Sequence, residues 1–140
     1  MPFFNGAAFG IEWATLHWSK VMMSRCKRIF VERISSEYRR PSGPLWQPAV
    51  DIYRCPEGWK IKFDLAGVKL EDVQVLIADD KLIVRGVRRD TVITEGWSYH
   101  QLEITYSRFE RILKIPCDLT QTEIQLESRD GWFILHLNCG

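Results

Sequence analysis

From Val50 onward the apolar residues of this 140-residue chain recur at every second position, and no stretch of helical spacing interrupts them. Val50-Asp51-Ile52-Tyr53-Arg54 alternates in this way, and so does Lys60-Ile61-Lys62-Phe63-Asp64-Leu65. An alternating segment sets one side in a core and the other in water. Further strands are predicted at Val73 to Ile77, Leu82 to Arg85, Tyr99 to Thr105, Phe109 to Ile115, Glu123 to Leu126 and Trp132 to Leu137. Turn signals separate them at Pro56-Glu57-Gly58, Asp79-Asp80, Ser107-Arg108 and Arg129-Asp130-Gly131. Gly, Pro and Asp supply the backbone geometry such turns need. Short strands at even spacing, without helices between them, predict an all-β chain folded as an antiparallel sandwich.

The first 40 residues follow a different period. Ile11, Ala14, Trp18, Val21, Met22, Cys26, Ile29 and Phe30 recur at helical spacing, with Lys20, Lys27, Arg28 and Glu32 largely between them. This predicts an amphipathic arm over residues 1–40, helical or partly disordered. Arg39-Arg40-Pro41-Ser42-Gly43-Pro44 breaks any helix, so residues 41–45 read as a linker. The net charge of +1 is divided unevenly. The arm to Arg40 holds seven basic and three acidic residues, and the remainder twelve basic and fifteen acidic. Arm and body are mildly complementary.

Several function classes find no support. No phosphate-binding loop is present, so ATP use is not expected. His17, His100 and His136 lack paired-ligand spacing, and neither a metal nor a cofactor is expected. Asp79-Asp80 reads as a turn rather than a pair of catalytic carboxylates, and no catalytic residue is assigned. The basic residues of the arm fall on the polar side of the predicted helix, which favours a solvated face over a nucleic-acid site. A basic amphipathic helix could also lie on a membrane surface, but no apolar run approaches the roughly 20 residues that a span needs. Cys26, Cys55, Cys117 and Cys139 are widely spaced and read as packing residues, not a disulfide framework. Met1-Pro2-Phe3-Phe4 has no basic leader, so a cytoplasmic protein is expected.

From Trp46 the sequence resembles the α-crystallin domain of the small heat-shock proteins. Trp46-Gln47-Pro48-Ala49-Val50-Asp51-Ile52 resembles that family's W-x-P-x-x-D-I. Phe63-Asp64-Leu65-Ala66-Gly67-Val68 with Glu71-Asp72-Val73 resembles D-L-P-G-V-x-x-E-D-I, with Ala66 in place of Pro. Lys81 to Gly86 matches L-x-I-x-G, and Phe109-Glu110-Arg111 with Ile115-Pro116 fits F-x-R-x-x-x-L/I-P. Asp130-Gly131 matches the late N/D-G turn, although Leu126, Trp132 and Phe133 depart from the motif around it. The resemblance implies an immunoglobulin-like sandwich over residues 46–138. It implies a holdase that binds partly unfolded proteins without ATP and limits their aggregation. An adaptor of the CS-domain kind shares this sandwich and is the alternative. Only three residues follow Leu137, where relatives carry an Ile-x-Ile/Val tail, so no substantial C-terminal extension is expected.

Two client-binding surfaces are expected. One is the arm stripe of Trp13, Trp18, Met22, Met23 and Phe30, since flexible Met and broad aromatics suit promiscuous contact. The other is the groove between the strand of Val73, Val75 and Ile77 and the strand of Ile124 and Leu126, where the resemblance implies that a tail docks in relatives. That groove either lies open or accepts Ile29-Phe30-Val31, which has the Ile-x-Val form but equally fits an ordinary helix. Arg88 to Ser98 is long for a hairpin, and the resemblance implies a strand exchanged between subunits. Thr91, Val92, Ile93 and Trp97 are therefore assigned to a homodimer interface, with larger assembly through the arm. Arg111 either joins that interface or pairs with a nearby carboxylate such as Glu103.

Overall fold

The computed structural model describes residues 26–29, 31–35, 37–40 and 43–139. Nine strands follow in order: β1 (Cys26–Arg28), β2 (Glu32–Arg33), β3 (Val50–Cys55), β4 (Gly58–Asp64), β5 (Val73–Ala78), β6 (Lys81–Val87), β7 (Arg108–Lys114), β8 (Glu123–Arg129) and β9 (Trp132–Asn138). A 3-10 turn, Leu70–Asp72, leads into β5. The strands form two sheets, one ordered β1-β8-β9-β4-β3 and the other β2-β5-β6-β7. All ladders are antiparallel except β2 on β5. This is the all-β sandwich that the alternation predicts.

The alternating positions meet in one core. Ile61 and Phe63 of β4, Phe133, Leu135 and Leu137 of β9, and Ile124 and Leu126 of β8 face Val75 and Ile77 of β5, Leu82 and Val84 of β6, and Phe109 and Leu113 of β7. Fully burying side chains of this size contributes about 1.5–3 kcal/mol each. The β8–β9 hairpin turns at Asp130-Gly131, whose φ values of 53° and 83° are the paired left-handed geometry of a two-residue hairpin. Gly86 sits within β6, paired with Val73 and Phe109. A Cβ there would stand 2.1 Å from the Asp72 carbonyl oxygen and 2.7 Å from the Phe109 ring, so glycine is required for close packing.

Three local expectations are corrected. Tyr99 to Thr105 forms no strand, because no sheet edge of the same chain lies beside it. Arg108 belongs to β7 rather than to a turn. The helical spacing read through Ile34 does not hold for its last portion, since residues 26–28 and 32–33 are extended and paired to sheet edges. The remainder of the predicted arm, Trp13, Trp18, Met22, Met23 and Phe30 included, lies outside the described residues.

β5 is buried on both faces. Its run Val75-Leu76-Ile77-Ala78 sends Leu76 and Ala78 to the outer side, where they join Ile83, Ile112, Ile34 and Tyr38 in a second small core. The chain between β2 and Tyr38 thus covers the outer face of the four-stranded sheet. Beneath it lies Glu110, 1% exposed. The Tyr38 hydroxyl donates to Glu110 Oε2, Arg85 Nη1 donates to the Tyr38 oxygen over 3.0 Å, and Arg40 Nε stands 3.1 Å from Glu110 Oε1. Burial, and next the bond to Glu110, raises the Tyr38 pKa above its ordinary value.

Candidate interaction surfaces

The groove between β5 and β8 is occupied by the chain itself. β1 adds to the free edge of β8, with Cys26, Lys27 and Arg28 opposite Glu127, Leu126 and Gln125. The chain then crosses to the other sheet, where Glu32 and Arg33 lie beside Leu76 and Ile77 of β5. Ile34 N–H continues the pairing to the Ile77 carbonyl at 2.9 Å. One short strap therefore closes an edge of each sheet. At the crossing, the half-buried Ile29 and Val31 pack against the main core. A cleft of about 400 Å³ remains around them, walled by Ile77, Leu119, Thr122 and Ile124. Ile29 and Val31 lie between β1 and β2, and both reach the expected groove.

Polar contacts at the ends of the strap are exposed. Arg28 Nε meets Glu123 Oε1 at 2.8 Å, and the Arg33 guanidinium donates to the Thr120 carbonyl. Surface pairs of this kind contribute about 0–1 kcal/mol, so the two apolar side chains dominate the hold. The residues assigned to the groove divide by depth. Val75, Ile77, Ile124 and Leu126 are buried, while Val73 is half-buried and borders a separate cleft with Gly86 and Phe109. With the strap seated, these side chains form a floor rather than an open surface.

The second surface is an edge. β3 ends the five-stranded sheet with one side unpaired among the described residues, and Ile52 and Tyr53 are 44% and 45% exposed. The loop joining β6 to β7 projects from the same molecule with Val92, Ile93, Trp97, Tyr99, Leu102, Ile104 and Tyr106 all exposed. Thr91, Val92, Ile93 and Trp97, assigned to a dimer interface, lie together on this loop. Leu102, Ile104 and Tyr106 were not assigned, although their alternation is the signal that could have found them.

The loop is organised despite its exposure. Asp90 accepts from Val92 N–H at 2.9 Å, Ile93 N–H at 3.3 Å and the Tyr99 hydroxyl at 2.9 Å. These bonds, that from Val92 foremost, hold the Asp90 carboxyl below its usual range, and the hydroxyl's own bond to Asp90 raises the Tyr99 pKa. At the base, Arg88 Nε donates to the Thr105 carbonyl over 2.8 Å, and its guanidinium lies 3.9 Å from the Trp46 ring centroid. Arg111 does not pair with Glu103. Its Nη1 donates to the Pro48 carbonyl at 2.8 Å and so ties β7 to the approach to β3, while Glu103 binds Gln101.

Buried polar groups elsewhere are paired for structure. His136 Nε2 lies 2.8 Å from Glu127 Oε2, and Arg129 Nε lies 3.4 Å from Glu127 Oε1. Among the described residues no cluster of His, Cys, Asp and Glu is arranged to hold a metal ion, and no helix is long and apolar enough to cross a membrane.

Known proteins share this architecture. A chloroplastic small heat shock protein of Pisum sativum is 27% identical over 126 residues, which is 88% of this chain and 53% of that protein. A 22.7 kDa class IV heat shock protein, also of Pisum sativum, is 27% identical over 103 residues, 73% of this chain and 52% of the relative. The chain spans about half the length of these curated relatives. Among solved structures, hspA of Xanthomonas axonopodis superposes with a TM-score of 0.58 at 24% identity, covering 69% of this chain and 96% of the other. A small heat-shock protein of Xylella fastidiosa gives 0.58 at 22% identity, covering 69% and 88%. At such identities these two establish the shared fold. The family model described as Hsp20/alpha crystallin matches residues 51–139, well over half of the sequence and nearly all of the sandwich, and the chain belongs to that family.

Proposed function

We propose that this chain is an ATP-independent holdase, without enzymatic chemistry, that binds partly unfolded proteins through apolar surface and limits their aggregation. The observation that carries the reading is the apolar groove between β5 and β8, into which Ile29 and Val31 of the same chain pack. An exposed apolar segment of a client has the chemistry to replace them. A strand-forming client would also gain backbone bonds from the edges of β8 and β5, as in recognition by strand addition. The arm residues Trp13, Trp18, Met22, Met23 and Phe30 are proposed as the second client surface. The names of the heat shock proteins it resembles agree with a role under stress.

The working unit in this reading is a homodimer. The alternating Leu102, Ile104 and Tyr106, together with Val92, Ile93 and Trp97, add to the free edge of β3 in a second copy. That addition buries exposed apolar side chains and pairs an open row of backbone groups, two features that otherwise promote uncontrolled association. Larger assembly would run through the arm.

The test is suppression of heat-induced aggregation of a model client without ATP, beside a version lacking the residues before Trp46. Suppression by the full chain that changes on removal of the arm and strap is the expected result. No suppression at temperatures where the full chain stays folded would overturn the holdase reading and favour an adaptor.

A further inference from the structure

Three of the four cysteines, far apart in sequence, converge at one end of the sandwich. Cys55 closes β3 opposite Gly58, and Trp59 pairs with Leu137, so the β3–β4 turn packs on the chain leaving β9. The approach is tight enough that a Cβ on Gly58 would stand 2.7 Å from the Cys139 nitrogen and 2.9 Å from its carbonyl oxygen. Cys117, in the β7–β8 connection, completes the group. Its Sγ lies 3.9 Å from Thr122 Oγ1. Glu123 pairs with Asn138, so Thr122 and Cys139 are the next residues outward at the end of the β8–β9 ladder, where the Cys139 thiol donates to the Leu137 carbonyl over 4.0 Å. All three are free thiols of intermediate exposure, and Cys117 and Cys139 pack against the main core.

We propose that Cys117 and Cys139 are a redox-modification site that closes into an intrachain disulfide when the protein meets a peroxide. The Cys117 thiolate attacks one peroxide oxygen; an S–O bond forms, the O–O bond breaks, and the departing hydroxide takes a proton to become water. The Cys139 sulfur then attacks the Cys117 sulfenic sulfur. An S–S bond forms, the S–O bond breaks, and the hydroxyl leaves with the Cys139 proton as a second water. Two thiols lose two electrons and two protons, and the peroxide is reduced to water. Burial above all raises the Cys139 pKa, to about 11.

The location gives the bond a consequence. The connection that carries Cys117 also carries Leu119 and Thr122, which wall the strap groove, and Thr120, whose carbonyl receives Arg33. A Cys117–Cys139 bond pins this wall to the chain just past β9. The thiol state is thereby coupled to the surface on which the strap sits.

The experiment treats the full folded chain with hydrogen peroxide, blocks remaining thiols by alkylation, and maps the cysteine peptides by mass spectrometry without reduction. A linked Cys117–Cys139 peptide, with Cys26 and Cys55 mostly alkylated, is expected. The same treatment in urea should scatter the pairing among all four cysteines. C139S should accumulate a Cys117 sulfenic acid that dimedone traps. The proposal is overturned if Cys117 and Cys139 stay alkylatable after the other cysteines have reacted. It is also overturned if they oxidise without linking, or if the links join only separate chains. Should C139S fail to fold, the mapping of the unaltered chain decides the matter alone.

Discussion

Replacing Ile29 and Val31 together by serine should open the groove while leaving the sandwich intact. Each side chain is half-buried against the main core. Full burial of an Ile or Val contributes about 1.5–3 kcal/mol, so half-burial gives roughly 1 kcal/mol apiece. Loss of about 2 kcal/mol then lowers the equilibrium constant for seating the strap by roughly 30-fold. Amide hydrogen exchange reads this directly. Peptides covering β5 and β8 should lose protection in the double variant, while those covering β4 and β9 keep theirs. Arg28→Ala, which removes only the exposed pair with Glu123, should change exchange by a factor of a few at most. Unchanged protection of β5 and β8, in a variant that melts like the parent, would refute the view that two apolar side chains hold the strap.

Further perturbations probe the other contacts. Gly86→Ala forces a methyl against the Asp72 carbonyl and the Phe109 ring; it should cost about 3 kcal/mol or more, seen as a lower urea midpoint. Tyr38→Phe with Arg40→Ala strips the direct partners of the buried Glu110 and should lower stability by about 3 kcal/mol, whereas Glu110→Leu in the same background should recover much of it. The Cys139 thiol has an ordinary value of 9.0, and its folded value is raised to about 11, so the folded state holds the proton more tightly. That contribution is complete below pH 9, declines as pH rises, and is gone above about 11; a pH series of thermal melts should show the decline, and C139S should flatten it. Leu102→Asp with Ile104→Asp should convert a dimer to monomer in sedimentation without altering the circular dichroism melt of the sandwich.

Most of the sandwich is written in period-two alternation, and the turn at Asp130-Gly131 takes the geometry its residues demand. Where the sequence reading fell short, one set of letters carried two periods or lacked a neighbour. Cys26, Ile29, Phe30 and Ile34 fit a helix, yet Ile29 and Val31 also alternate. The extended form prevails because two sheet edges offer partners that an isolated helix would lack. The strand predicted at Val73 to Ile77 extends to Ala78, and the unbroken apolar run Val75-Leu76-Ile77-Ala78 within it signals burial on both sides. The pairing of Arg111 with Glu103 fails because a carbonyl far away in sequence, that of Pro48, takes its hydrogen bond. The cysteines looked isolated because sequence spacing does not report which ends of a sandwich coincide.

Tyr99 to Thr105 is the instructive failure, because the alternation there is real and the strand is absent. A strand needs an edge, and β3 is an open edge that this loop does not reach within its own chain. The strap presents the converse, a segment without strong strand character that becomes extended because β8 and β5 offer it edges. Both cases follow from one rule: backbone pairing decides the conformation, and side-chain periodicity decides only which face is apolar once pairing exists. On that rule the two surfaces of this protein are complementary states of the same chemistry. At the groove, edges of the sandwich are covered by a short segment, which in the proposed function an apolar strand from elsewhere displaces. At the loop, an apolar alternating segment lies exposed, and in the proposed dimer a second β3 supplies its edge.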